Sequence, residues 1–145
     1  MIEFEVDSLE DMKEFFIGDL DSKQLKIINK RIQLIFPKLN NVNTFFREKD
    51  FIDKHIRVYK TSKNIAFVQY TYEDRFLFID LIMSTGGGFL PYILKTLKQY
   101  SDHYGMEGIQ LKVSDDSSEF LIPMYEKHGF ELITSDEDNI YMLLK

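Results

Sequence analysis

The sequence predicts an α/β fold: a mixed, mostly antiparallel twisted sheet with helices on both faces and one parallel strand pair. Three observations carry that expectation. Helix-period apolar spacing fills the first part of the chain, and three strand-like runs joined by short polar turns follow it. The third run then passes through Gly86-Gly87-Gly88 into a helical stretch and on to another short apolar run. A strand, helix, strand passage of this kind is a crossover, which makes its two strands parallel.

In chain order, Ile2 to Val6 alternates as a strand, and Asp7 or Ser8 offers a cap for a helix with Leu9, Met12, Phe15 and Phe16 at helical spacing. A second helix begins near Asp21-Ser22, places Leu25, Ile28, Ile32 and Ile35 on one face, and stops at Pro37. Residues 40–54 are polar and irregular and receive no assignment. Ile56 to Tyr59, Ile65 to Tyr72 and Phe76 to Met83 read as an antiparallel meander turning at Ser62-Lys63-Asn64 and Glu73-Asp74. The next helix carries Ile93, Leu94, Leu97 and Tyr100 on one side and ends at Gly105, and Ile109 to Val113 is the following strand. Ser117 to His128 reads as a helix ending at Gly129, with Pro123 predicting a late start that puts the proline in its first turn. Phe130 to Ile133 and Ile140 to Leu144 form a final hairpin around Asp136-Glu137-Asp138-Asn139.

With 145 residues, no repeat, no low-complexity tract and no long linker, residues 1–145 are expected to form one domain. No apolar stretch approaches the roughly 20 residues that span a bilayer, and the start Met1-Ile2-Glu3-Phe4-Glu5 lacks a basic leader region. An intracellular, cytoplasmic protein with no membrane partner is therefore expected. The absence of cysteine excludes disulfides, thiol nucleophiles and thiolate metal sites, and His55, His103 and His128 have no ligand spacing, so no metal is expected. A net charge of −6 argues against nucleic acid, whose phosphates need a basic face, and favours a cationic small partner.

Two features carry candidate chemistry. Gly86, Gly87 and Gly88 lack side chains, so the loop can bring successive N–H groups close to an anion, and the following helix adds its positive end; a plain strand-to-helix turn is the alternative. Neither a Gly-Lys-Ser/Thr nor a GxGxxG signature is present, which disfavours an ordinary nucleotide-binding protein. Asp80 is the one charge inside its apolar strand, two residues before Ile82 and on the same side of the sheet. It reads either as a base whose pKa burial raises or as a structural carboxylate satisfied by its neighbours. Asp136-Glu137-Asp138 reads as a solvated turn, or as an attractor for a cationic amine; the aromatic stretch Phe67 to Phe78 reads as packing.

The segment Met124-Tyr125-Glu126-Lys127-His128-Gly129-Phe130, placed behind a meander and a crossover with a glycine turn, resembles the Gcn5-related N-acetyltransferases (GNAT superfamily). The resemblance covers most of the chain and is specific from about Phe76 to Phe130. It implies a GNAT-like domain that binds acetyl-CoA as acyl donor and transfers acetyl to an amine. Gly86, Gly87 and Gly88, with the N–H groups of Phe89 and its neighbours, would hold the pyrophosphate of coenzyme A. Leu81, Ile82 and Met83 beside Leu111 to Val113 would form a slot for pantetheine, and Ser118 stands where the family commonly has an asparagine. Tyr125 matches the family's general acid: a phenol of pKa near 10 can protonate a departing thiolate whose pKa is near 8.5. Asp80 is the candidate base.

Direct transfer without a covalent enzyme intermediate is implied, because no cysteine and no activated serine arrangement is present. Met83, Ser118, Leu121 and Pro123 depart from the family's pattern, so a non-catalytic acyl-CoA-binding or protein-interaction module is the alternative left open. The acceptor, the acyl length and the oligomeric state, a homodimer included, have no signature in the sequence.

Overall fold

In the computed structural model, residues 1–115 and 118–145 are described. The α-helices among the described residues are α1 (Leu9–Phe15), α2 (Ser22–Ile35), α3 (Asp50–Asp53), α4 (Leu90–His103) and α5 (Ser118–Lys127). Seven strands are β1 (Ile2–Val6), β2 (His55–Lys60), β3 (Ile65–Glu73), β4 (Phe76–Ser84), β5 (Gly108–Ser114), β6 (Glu131–Ser135) and β7 (Asn139–Leu144). Among the described residues they make one sheet in the order β1-β2-β3-β4-β5-β7-β6, antiparallel except for β4 and β5. The predicted α/β class and its parallel pair are both present. Ser117, predicted to open the last helix, lies outside the described residues. No described helix is long and apolar enough to cross a membrane.

The chain divides into two compact units. The first comprises Met1–Gln69 with Leu81–Phe89. Its core joins Met12 and Phe16 of the α1 region, Ile28 and Ile32 of α2, Ile56 and Val58 of β2, Ile65 and Phe67 of β3, and Met83 of β4. Burying each such side chain contributes about 1.5–3 kcal/mol, and this burial is what holds the two short helices in place. Local chemistry sets the helix starts. Ser8 Oγ accepts from Asp11 N at 3.1 Å, and Asp21 and Gln24 form a reciprocal capping box, with Asp21 Oδ1 accepting from Gln24 N at 2.8 Å. Lys60, ion-paired with Asp19, lies over the rings of Phe4 and Phe15, which meet edge to face at 5.1 Å.

One expectation on α2 fails in part. Ile28 and Ile32 are fully buried, but Ile35 is 46% exposed together with Leu34 and Phe36. The last turn of the helix overshoots the core before Pro37 ends it. The stretch without a sequence assignment contains a 3-10 turn at Val42–Thr44 and the single turn α3, fixed by Val42 and Phe46, both buried.

The second unit comprises Tyr70–Asp80 with Leu90–Lys145. Here β4 and β5 pair in parallel from Phe76↔Gly108 to Ile79↔Leu111, and β5 pairs antiparallel with β7 from Ile109↔Leu144 to Ser114↔Asn139. Strand β7, not β6, therefore lies next to β5. Helix α4 buries Ile93, Leu94 and Leu97, and the chain leaves it through Gly105, whose φ of +67° suits a residue without Cβ. The aromatic run behaves as packing: Tyr70 is buried, and Tyr72 meets Tyr104 at 5.2 Å between ring centres.

Helix α5 starts at Ser118, so Pro123 stands in its interior and not in its first turn as predicted. Proline there forfeits the bond to the carbonyl of Glu119, four residues back. Glu119 is exposed, so water can take that carbonyl, and no residue of α5 is fully buried.

The contrast within α2 gives a direct test. Ile32→Ala is expected to lower unfolding free energy by about 2–5 kcal/mol in urea titration, and Ile35→Ala by under about 0.5 kcal/mol.

Candidate functional site

The predicted cofactor residues of the first unit follow one another along the end of β4. Met83 is buried in the core and Leu81 packs against it, so both side chains are structural and only their backbone is available to a ligand. Ile82, between them, alternates to the other side and is half-buried. The loop then starts from a fixed point. Thr85 N donates to Ile65 O at 3.0 Å, Thr85 Oγ1 accepts from Ile65 N at 3.0 Å, and the same hydroxyl donates to Asn64 Oδ1 at 3.0 Å. Ser84 Oγ donates to Gly86 O at 2.8 Å, which holds that carbonyl back toward the strand.

The three glycines have different reasons to be glycine. A Cβ on Gly86 would stand 2.7 Å from Asn64 Oδ1 and 2.8 Å from Asn64 Cγ, closer than real contacts allow. Gly88 has φ +93°, in the left-handed region. Gly87 meets nothing within 4 Å and is exposed, so its side of the loop is open. No described residue accepts from the N–H groups of Gly87 or Gly88. Phe89, buried at 4% exposure, anchors the far end, and the chain enters α4 at the next residue. The loop is thus held at both ends, with N–H groups between them that no described residue uses.

The other candidates lie in the second unit. Asp80 is half-buried in β4, with the Thr71 hydroxyl 3.4 Å from its Oδ2. Tyr125 sits in the last turn of α5, half-buried, its ring edge to face with Phe130 at 5.5 Å. The turn is closed by His128 N and Phe130 N, which both donate to Tyr125 O, and by Gly129 at φ +97°. That glycine also lies where a Cβ would meet Leu144 Cδ1 at 3.1 Å, so its place in the motif is steric as well as conformational. Burial pushes the Tyr125 phenol above its ordinary value of 10.0. Leu111 and Val113 of β5 are both buried. Ser118 Oγ donates to Asp115 O at 2.9 Å, a local bond at the start of α5.

The acidic turn serves its own hairpin. Asp136 Oδ1 accepts from Asp138 N and Asn139 N, and Oδ2 accepts from the Tyr141 hydroxyl at 3.0 Å. These bonds, led by the one from Asp138, hold its carboxyl below the usual range, while the same contact raises Tyr141. Sequence reading missed Asn64 and Thr85, although a threonine before the glycines and an asparagine ending the β2–β3 turn were visible.

Comparison with solved structures was decisive for the fold. The PaiA N-acetyltransferase of Thermoplasma acidophilum, crystallised with coenzyme A, superposes with a TM-score of 0.63 at 13% identity, covering 100% of this chain and 99% of that one. The aminoglycoside 6′-N-acetyltransferase of Enterococcus faecium gives 0.62 at 14% identity, covering 99% and 96%. The chain has the GNAT fold. A Bacillus anthracis protein described as a streptothricin acetyltransferase, crystallised with acetyl coenzyme A, shares that fold at a TM-score of 0.53 and 20% identity; the match spans 63% of each chain. No protein-family model matches the sequence, and no curated protein matches it. Within this GNAT fold the glycine loop follows the fourth strand and the tyrosine lies on the helix after the fifth, as the resemblance implied.

The raised phenol sets a measurable expectation. In NMR titration of labelled tyrosines, with Tyr125→Phe as assignment control, Tyr125 stays protonated past pH 10.0. An acid whose folded pKa is raised adds stability below its unfolded value and loses it as pH rises through the folded one. The stability of wild type relative to Tyr125→Phe should therefore be independent of this group up to about pH 10.0 and fall above it.

Proposed function

We propose that this chain is an acetyl-CoA-dependent N-acetyltransferase that passes acetyl directly to a primary amine. The observation that carries the reading is the glycine loop at the end of β4: pinned by Thr85 and Phe89, open at Gly87, with N–H groups that no described residue uses. Solved structures of the same fold that hold coenzyme A or acetyl coenzyme A support it. In this reading the backbone of Gly86, Gly87, Gly88 and Phe89 binds the donor's pyrophosphate, and the backbone of Leu81, Ile82 and Met83 lies along pantetheine.

In the same reading Asp80 is the base and Tyr125 the acid. The acceptor ammonium first loses a proton to Asp80, directly or through water, and its lone pair then attacks the thioester carbonyl. A backbone N–H near Met83 stabilises the oxyanion. The C–S bond breaks as the tetrahedral intermediate collapses, the nitrogen gives up its second proton to solvent, and Tyr125 protonates the leaving thiolate. Products are the acetamide and free coenzyme A. A phenol, whose pKa lies near 10 and is raised here by burial, is protonated across the physiological range and so has a proton to give in that last step. Net charge −6 suits a cationic amine as acceptor. The donor is an intracellular metabolite, so we place the activity in the cytoplasm.

One observation favours a second reading, a non-catalytic acyl-CoA-binding module. The side chain of Met83 is buried in the core and Ser118 is bonded to Asp115, so neither offers a polar group to the donor. Turnover separates the two. With a panel of amines and acetyl-CoA, thiol release is expected from wild type; Tyr125→Phe should lower kcat roughly 10²- to 10⁴-fold with little change in acetyl-CoA KM. Gly87→Glu, whose Cβ meets no atom within 4 Å, should leave folding intact and abolish coenzyme A binding in calorimetry. Binding without turnover of any amine would favour the module, and no binding by folded wild type would remove both readings.

A further inference from the structure

We infer that Asn64 and Thr85 are positioning residues that set the conformation of the glycine loop and, resting on the reading above, its affinity for coenzyme A. Neither touches the donor in that scheme; both act through Gly86. Thr85 is 7% exposed and is bonded to two consecutive residues: it accepts from Ile65 N, donates from its own N to Ile65 O, and its hydroxyl donates to Asn64 Oδ1 at 3.0 Å, with Ile65 O at 3.4 Å as a longer second acceptor. The Asn64 amide, held this way, fills the space that a side chain at position 86 would need, within 2.7–2.8 Å of an added Cβ.

Asn64 is itself braced. Its N–H donates to Thr61 Oγ1 at 3.0 Å and its carbonyl accepts from Thr61 N at 2.9 Å, which closes the β2–β3 turn. Gln24, whose side-chain carbonyl completes the α2 capping box, donates from Nε2 to Lys63 O at 2.9 Å in the same turn. A continuous set of bonds thus runs from the start of α2 through the turn to the base of the loop. Gln24, Lys63, Asn64 and Thr85 also border an open cavity of about 770 Å³.

A loop whose backbone is already fixed loses less freedom when an anion binds, so releasing the clamp should weaken binding without touching the chemical step. The test combines a stability cycle with binding. In urea, Gly86→Ala and Asn64→Ala each lower the midpoint, and the double variant loses less than the sum, because removing the Asn64 amide makes room for the new methyl. In calorimetry, Thr85→Val raises the coenzyme A Kd by about tenfold or more whereas Thr85→Ser, which keeps the hydroxyl, stays within about twofold. Where an amine is turned over, Thr85→Val raises acetyl-CoA KM and leaves kcat near wild type.

Additive effects in the urea cycle, or a folded Thr85→Val that binds coenzyme A as wild type does, would overturn the inference. Failure of wild type to bind coenzyme A would instead defeat the proposed function, and the urea cycle would still decide whether the clamp sets the loop.

Discussion

Thr85 and Ile65 exchange hydrogen bonds that close the end of β4 against the start of β3, and the glycine loop departs from that point. Buried backbone groups must be paired, so this closure dictates where free N–H groups are allowed to begin. Upstream of it, Met83 is fixed by the core; downstream, Gly87 and Gly88 are solvent-facing and unpaired. The abrupt change from satisfied to unsatisfied backbone within five residues is a property of hydrogen bonding more than of glycine content, and it is the feature on which the proposed anion site rests.

Most element positions were legible because hydrophobic period and punctuation agreed: Asp21 opened α2, Pro37 closed it, and Gly105 and Gly129 closed α4 and α5. The crossover from β4 to β5 followed from the same signals. What failed were statements that depend on how far a core extends. Periodicity put Ile35 on the buried face, but only packing decides that the face ends after Ile32. Pro123 was read as a helix start, a local rule that yields when the proline's missing bond falls on the exposed carbonyl side of a surface helix.

The site was legible in part for a related reason. Gly86 to Gly88 and Tyr125 announce themselves by residue type, and Asp80 by a charge in an apolar run. The role of Asn64, twenty-two positions before Gly86, comes only from strand pairing that returns the chain to the loop. The acidic turn shows the converse. Asp136 carries charge in a conspicuous cluster, yet both of its oxygens serve the β6–β7 hairpin, leaving Glu137 and Asp138 as solvated neighbours. Counting carboxylates is therefore a poor guide to an amine site in this chain.

The proposed function separates holding the donor from transferring its acyl group: backbone donors of the loop would do the first and the half-buried phenol of Tyr125 would serve the second. Its central claim is that the loop N–H groups bind a pyrophosphate. The most direct measurement is an amide NMR titration of the labelled protein with coenzyme A, reading the N–H signals of Gly86, Gly87, Gly88 and Phe89. The account predicts that these shift first and most, saturably, and that a pyrophosphate-containing fragment without pantetheine moves the same signals. Saturable shifts confined to other residues, with the glycine signals unmoved, would contradict it.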